Sequence, residues 1–224
     1  MKPGRNFFPL FYFDAMNTID ESVLFEQIAD EIAEKGWFVT DHFVDEALLQ
    51  GLIKEASAYW DDGEFNKAGI GAGTQLQFRP EIRTDKIHWL DEGSLTPLQQ
   101  KYWDRIDQLR ETLNRTLYLS ARSFEAHFAV YPEGSFYKKH LDQHQEVQHR
   151  LISCILYLNS DWTEEDGGKL RMYHYHDNDD DFTEIMPVMG RFVCFRSDQV
   201  MHEVLPSGRE RFSLTGWLRR ESLL

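Results

Sequence analysis

The chain has 224 residues, 42% hydrophobic and 14% aromatic, with 38 acidic against 24 basic side chains and a formal net charge of -14. This length allows one domain of ordinary size, with or without a helical extension, and this apolar content excludes global disorder. The negative balance opposes nonspecific attraction to nucleic acid or an anionic membrane surface, which reward positive charge.

The first residues, "MKPGRNFFPLFYFDAMNTID", make a poor signal peptide. Their apolar run is short, broken by Pro9 and followed by Asp14 without a small-residue cleavage site. The expectation is mature sequence forming an arm that packs on the domain. Thr18 and Glu21 have capping-box spacing, Leu24, Ile28 and Ile32 follow at helical steps, and Gly36 fits as the stop. "WFVT" reads as a short strand. A second helix is expected near residues 44–60, with Leu48, Leu49, Leu52, Ile53 and Ala56 on one side. Residues 61–80 are glycine-rich and aperiodic, and read as a mobile loop. Their "GIGAG" lacks the context of a phosphate-binding motif. Thr96-Pro97 begins a third helix, striped by Leu98, Tyr102, Ile106, Leu109, Leu113 and Leu117 and ending near Ser120.

From residue 121 the period changes to two. "SFEAHFAVY", "HRLISCILYLN", "GKLRMYHY", "TEIMPV", "GRFVCF", "HEVLP" and "RFSLTGWLRR" read as short strands separated by turn residues. The acidic run "HDNDDD" reads as a solvated hairpin, because it lacks the glycine and glutamate of a calcium loop. Cys154 and Cys194 sit in apolar runs and read as reduced core thiols, compatible with a cytoplasmic location. No stretch reaches the roughly 18 apolar residues of a membrane span. The expected fold is mainly β with about three N-terminal helices, an α+β chain whose core is a barrel or jelly roll. It is expected as a single domain over 1–224. Residues 1–120 are then mainly helical support carrying the 61–80 loop, and 121–219 form the β core.

The chemistry starts at "YKKHLDQHQ". His140 and Asp142 stand two apart, so on an extended segment they point the same way. Alone, the triplet fits a pair of metal ligands or a polar turn. In "RFSLTGWL", Arg211, Ser213, Thr215 and Trp217 alternate onto one face, and "LISCILYL" is apolar on both faces, with Ile155 and Tyr157 on one side. An Arg211 facing such an interior needs an anion, and no acidic mate shares its strand face. His202 lies about sixty residues after Asp142 and shortly before Arg211. Two histidines and one carboxylate can occupy one face of Fe(II) and leave positions open.

With these residues in view, the chain resembles the iron(II)- and 2-oxoglutarate-dependent oxygenases. Within them it is most similar to the prolyl 4-hydroxylases that act on hypoxia-inducible factor in animals, and to their bacterial relatives. The matching blocks are "GEFNKAG", "EIRTDKIHWL", "AVYPEGSFYKKHLD", "RLISCILYLNSDW", "EEDGGKLRMY", "MGRFVCFRSDQVMHEVLPS" and "RERFSLTGWL", over most of residues 60–219. The resemblance implies a double-stranded β-helix, a cupin-like jelly roll. It implies His140, Asp142 and His202 as iron ligands, with Arg211 and Tyr157 on the distal carboxylate of 2-oxoglutarate. Tyr131 would lie near the iron-proximal end of that cosubstrate, and Ile155, Thr215 and Trp217 would line its pocket. Arg150, the Arg83/Asp85 pair and Tyr137 would face the substrate.

The implied cofactors are Fe(II), 2-oxoglutarate and O2, with ascorbate as an assay reductant. The implied partner is a protein with a target proline. For a bacterial chain that is elongation factor Tu, with a possible oxygen-sensing role. A small-molecule hydroxylase, of free proline or another metabolite, is the alternative reading. The sequence leaves oligomeric state open. Nucleic-acid demethylases of the same chemistry place a second arginine where this chain has Trp217. The chain departs from the animal pattern at "QHQEVQH", one residue longer, and its own substrate preference is expected around Gln143, His144 and Gln145.

Overall fold

The computed structural model describes residues 21–70, 77–143, 149–175 and 178–220. Helix α1 (Glu21–Lys35) buries Leu24, Phe25, Ile28, Ala29 and Ile32. Gly36 ends it at φ +84, a left-handed position that suits glycine, and donates its N–H to Ile32 O at 3.2 Å. The Thr18 end of the expected capping box lies outside the described residues, as does the N-terminal arm. Strand β1 (Trp37–Thr40) follows as expected. Helix α2 (Glu46–Asp61) is capped by Asp45, whose side chain accepts from Leu48 N at 2.7 Å.

Helix α3 (Pro97–Leu117) opens with a full capping box between Thr96 and Gln99. It stops three residues before Ser120, because Tyr118 turns left-handed at φ 54. No glycine marks that stop, so the sequence carried no signal for it.

Eleven strands form two antiparallel sheets among the described residues. The larger has the order β1-β9-β6-β11-β4-β3-β2, the smaller β5-β10-β7-β8. The strands are β2 (Asn66–Lys67), β3 (Lys86–Trp89), β4 (Ser123–Tyr131), β5 (Tyr137–His140), β6 (Arg150–Tyr157) and β7 (Leu170–Tyr175). Then follow β8 (Asn178–Ile185), β9 (Phe192–Arg196), β10 (His202–Val204) and β11 (Arg211–Arg219). This is the expected jelly roll, with three strands of the larger sheet supplied by the first 120 residues.

Two apolar clusters explain why the central strands read as apolar on both faces. Ile152, Cys154, Leu156, Leu214 and Leu218 pack with the helices outside the larger sheet. Ile155, Tyr157, Val193 and Phe195 pack between the sheets with Leu170, Met172 and Val204. Burying each such side chain contributes about 1.5–3 kcal/mol. Cys154 and Cys194 face each other across β6 and β9 as free thiols, and burial pushes both far up in pKa, so they stay neutral.

Three expectations change. Residues 61–80 are not all loop, because Asn66–Lys67 pairs with β3 and Ile70 bridges to Gln77. Strands β3 and β5 escaped the period-two reading because their residues are mostly half-buried, without clean alternation. Strand β8 begins five residues before Thr183 and takes in the acidic run. As the edge of the smaller sheet it tolerates charge, which also blocks edge-to-edge pairing.

Strand β11 is the hub of the larger sheet, and its Gly216 lets β4 approach closely. A Cβ there would meet Phe124 Cζ at 2.4 Å and the Glu125 carbonyl oxygen at 2.6 Å. Gly216→Ala is therefore expected to lower stability by about 1–3 kcal/mol through overpacking, read as a drop in the urea midpoint. An unchanged midpoint would refute this contact.

Candidate active site

His140 ends β5 directly opposite His202 on β10, and Asp142 follows two residues beyond the end of the strand. Antiparallel pairing thus brings together two imidazoles far apart in sequence. Their rings lie 4.2 Å apart, and Asp142 Oδ1 is 3.4 Å from His140 Nε2 while Oδ2 is 3.8 Å from His202 Nε2. The three ligating atoms fall within 4.8 Å of one another, a set that could hold one metal ion.

Each imidazole is oriented by a carbonyl two residues upstream. His140 Nδ1 donates to Lys138 O at 2.7 Å and His202 Nδ1 to Val200 O at 3.0 Å, leaving both Nε2 atoms free to ligate. Burial lowers the His202 pKa to about 4, helped by His140 and opposed by Asp142. Burial opposes the charge on Asp142. Even so, His202, His140 and Arg150 hold its carboxyl well below the usual carboxylate range. The set is therefore one carboxylate with two imidazoles that each present Nε2, which suits a divalent cation.

Sequence reasoning missed the groups that hold Asp142. Ser153 Oγ donates to Asp142 Oδ2 at 2.6 Å and lies 2.8 Å from Ser197 Oγ. With its one proton given to the carboxylate, Ser153 must accept from Ser197. Ser153 shares the interior face of β6 with Ile155 and Tyr157, so the alternation that marked those residues also marked Ser153. Gln143 is structural in part, since its backbone N–H donates to Ser197 O at 3.1 Å and its side chain to Arg150 O at 2.8 Å.

Deeper between the sheets, Arg211 is only 2% exposed. Among the described residues no carboxylate pairs with it. Its Nε and the Tyr157 hydroxyl are both buried without a hydrogen-bond partner. The guanidinium carbon stands 4.8 Å from the Tyr157 ring centroid and 4.9 Å from that of Tyr131. An uncompensated buried cation costs on the order of several kcal/mol, so this gap fits a ligand carboxylate. Tyr131 thus flanks the arginine as well, and burial raises its pKa well above the ordinary phenol value. Ile155 and Thr215 are cross-strand partners on this wall.

The outer end of the wall holds Trp217, whose ring lies 3.5 Å beneath the Arg150 guanidinium. Glu125 binds both Arg150, at 2.9 Å, and Arg219, at 3.0 Å. Arg83 pairs with buried Asp85 through two bonds of 2.8 and 2.6 Å and covers the Tyr137 ring. His127, also missed, lies on the same face of β4 as Tyr131, edge-on to the half-exposed Trp89. Burial, with Arg83 and Arg150 nearby, lowers its pKa to about 3. His174 is engaged with Thr183 at 2.9 Å, away from this cluster, while His144 and His176 lie outside the described residues.

Two outcomes follow from this geometry. Ser153→Ala removes the donor to Asp142 and is expected to weaken divalent-metal binding about 10- to 100-fold, measured by calorimetric titration with Mn(II). Unchanged affinity would show that the hydroxyl does not orient the carboxylate. The second concerns acid stability. His127 stays neutral in the fold down to about pH 3, whereas an ordinary histidine takes a proton near 6.5. Its contribution is thus present above pH 6.5 and lost as pH falls, by about 1.4 kcal/mol per pH unit per proton. In metal-free protein, His127→Asn should flatten the fall in urea midpoint between pH 6.5 and 4, and an equally steep fall would contradict the assignment.

Comparison with known proteins agrees with this geometry. The profile of the 2OG-Fe(II) oxygenase superfamily matches residues 126–219. A prolyl-4-hydroxylase from Pseudomonas putida is 40% identical in a structural match with TM-score 0.79, covering 88% of this chain and all of that one. The hypoxia-inducible factor prolyl hydroxylase of Caenorhabditis elegans is 30% identical over 210 residues, covering 88% of this chain and 28% of the relative. Human Egl nine homolog 1 is 30% identical over 199 residues, covering 86% of this chain and 46% of the relative. The chain thus spans less than half the length of these two curated relatives. The clustered His140, Asp142 and His202, the buried arginine and these matches agree, and the chain belongs to the prolyl hydroxylases of the 2OG-Fe(II) oxygenase superfamily.

Proposed function

We propose that this chain is a 2-oxoglutarate- and O2-dependent prolyl 4-hydroxylase that acts on a prolyl residue of a protein. The observation that carries the reading is the buried, anion-less Arg211 set between the sheets beside the convergent His140, Asp142 and His202.

Bound Fe(II), with 2-oxoglutarate and O2, would supply oxidative decarboxylation to succinate and CO2, coupled to oxygen insertion into a C–H bond. The chain's own share is binding and orientation. His140, Asp142 and His202 hold the metal and contribute only one negative charge. Arg211 takes the distal carboxylate of the cosubstrate through charge-assisted bonds, and the neutral Tyr157 hydroxyl donates to the same group. Tyr131, Ile155, Thr215 and Trp217 wall that pocket and keep it dry.

On the substrate side, Arg150 is held by Glu125 and stacks on Trp217, so it shapes the mouth more than it offers a free charge. Arg83, held by Asp85, also donates to Gly69 O at 3.3 Å and ties the 61–80 segment to the mouth beside Tyr137. Trp89, 49% exposed next to this rim, gives a flat apolar surface suited to a polypeptide. The relatives' names point to protein prolines. Elongation factor Tu, the partner that the resemblance implies for a bacterial chain, is the first substrate to test, with ascorbate as reductant in the assay. A cytoplasmic location and an oxygen-responsive role belong to the same reading.

The test is incubation with purified elongation factor Tu, or with a cell lysate, plus 2-oxoglutarate, iron and O2, followed by mass spectrometry for a gain of one oxygen on proline. Modification should need all three additions and vanish in His140→Ala. Hydroxylation confined to free proline or other metabolites would overturn the protein-substrate reading. Arg211→Ala should raise the 2-oxoglutarate concentration needed by about 30-fold or more while metal stays bound. Equal cosubstrate affinity would remove Arg211 from its role.

A further inference from the structure

We infer that Arg83 is a positioning residue for metal binding, acting through the Tyr137 ring on the imidazole of His140. This rests on the reading of His140, Asp142 and His202 as metal ligands. It adds a line of support that reaches the site from outside the smaller sheet.

The chain of contacts is continuous. The Tyr137 ring stacks on the His140 ring with centroids 3.6 Å apart and planes 16° from parallel. The guanidinium of Arg83 covers the Tyr137 ring at 4.2 Å. That guanidinium is itself clamped: Nε and Nη2 bind the two Asp85 oxygens at 2.8 and 2.6 Å, and Nη1 donates to Gly69 O at 3.3 Å. The backbones are joined as well. Arg83 and Tyr137 form an antiparallel bridge, Lys138 N donates to Ile82 O at 2.9 Å, and Thr84 N to Phe136 O at 3.1 Å.

These contacts divide the work of holding His140. The Nδ1 bond to Lys138 O sets the tautomer and which edge of the ring faces inward. A single hydrogen bond leaves the ring free to tilt about that axis, and the stacked Tyr137 face removes that freedom. His202 needs no such support, since Phe195, at 4.7 Å, and His140 already confine it. Stacking and cation–π contacts are individually modest, yet enough to alter how often a ligand is correctly aimed.

The same arrangement explains why Asp85 is buried. A bare guanidinium one ring away from a metal-bound imidazole would repel a dication through a poorly screening interior. Asp85 neutralises it, so the planar stacking group is kept and its field is cancelled. Lysine would not serve equally, because it lacks the flat face and the two-pronged bond.

The test is cobalt(II) affinity, read from the visible absorption of the bound ion and by calorimetry, with melting of the metal-free protein followed in parallel. Arg83→Met and Tyr137→Leu should each weaken cobalt binding about tenfold, with shifted absorption bands, while Tyr137→Phe keeps both affinity and spectrum. Because the two residues act in series, the double variant should bind no worse than either single one. A merely structural role would instead give additive losses that track the melting temperature. If Arg83→Met fails to fold, Arg83→Lys, which keeps the charge but lacks the flat face, takes its place and is expected to weaken cobalt binding with shifted bands; parent-like affinity and spectrum in it would overturn the relay. No cobalt binding by the parent chain would overturn the metal-site reading. Normal binding by the parent with additive or absent effects in the variants would overturn only the relay.

Discussion

Arg211 places a full positive charge between two sheets, where water cannot solvate it and no described carboxylate answers it. Such a group is tolerable only if the fold holds it firmly and a ligand completes it. Much of the architecture serves that condition. Strand β11 is paired along its length on both sides, by β4 and β6, and covered by helices on its far face. Tyr131 comes from one neighbour and Tyr157 from the other, and their rings close around the guanidinium. The helices thus matter to the site without touching it, because they seal the outer face of the sheet that carries the arginine.

The histidine–aspartate end follows a different logic. Its two histidines lie on the smaller sheet, whose strands are short and whose outer surface is charged, with Arg171 donating to both Glu184 and Glu203. That sheet has less apolar packing to hold its side chains. Orientation comes instead from hydrogen bonds and stacking: two backbone carbonyls on the imidazoles, the Ser197–Ser153 pair on Asp142, and Tyr137 against His140. The two halves of the site meet at Ser153, which belongs to the larger sheet and bonds Asp142, which follows a strand of the smaller one.

The helices and most strands were legible because each depends on local or periodic information, whereas the central site residues were marked by the resemblance of their sequence blocks. Capping at Thr96, the stripe of α3 and the alternation of β11 are properties of neighbouring residues. Strands β3 and β5 were not legible, since half-buried strands bordering a mouth do not alternate cleanly. The left-handed stop at Tyr118 likewise breaks the usual glycine rule. For Arg150 the residue type was evident but its partner was not, and for Arg83 the pairing with Asp85 was evident but the ring it covers was not. Glu125 is 25 residues from Arg150 in sequence, and the Tyr137 ring under Arg83 belongs to a different strand.

Residue order alone marked a helix-supported, strand-rich chain and an arginine in need of an anion, through periodicity and the scarcity of ways to satisfy a buried charge. The histidine–aspartate–histidine set and the jelly-roll core were carried by the resemblance of the sequence blocks, since spacing alone left His140 and Asp142 open between ligands and a polar turn. Only the folded chain decided that His140 faces His202 and that Ser153 holds Asp142. The same is true of the stack from Arg83 through Tyr137 to His140. Those are contacts between segments far apart in sequence, set by strand register and sheet stacking, and no local pattern of residues encodes them.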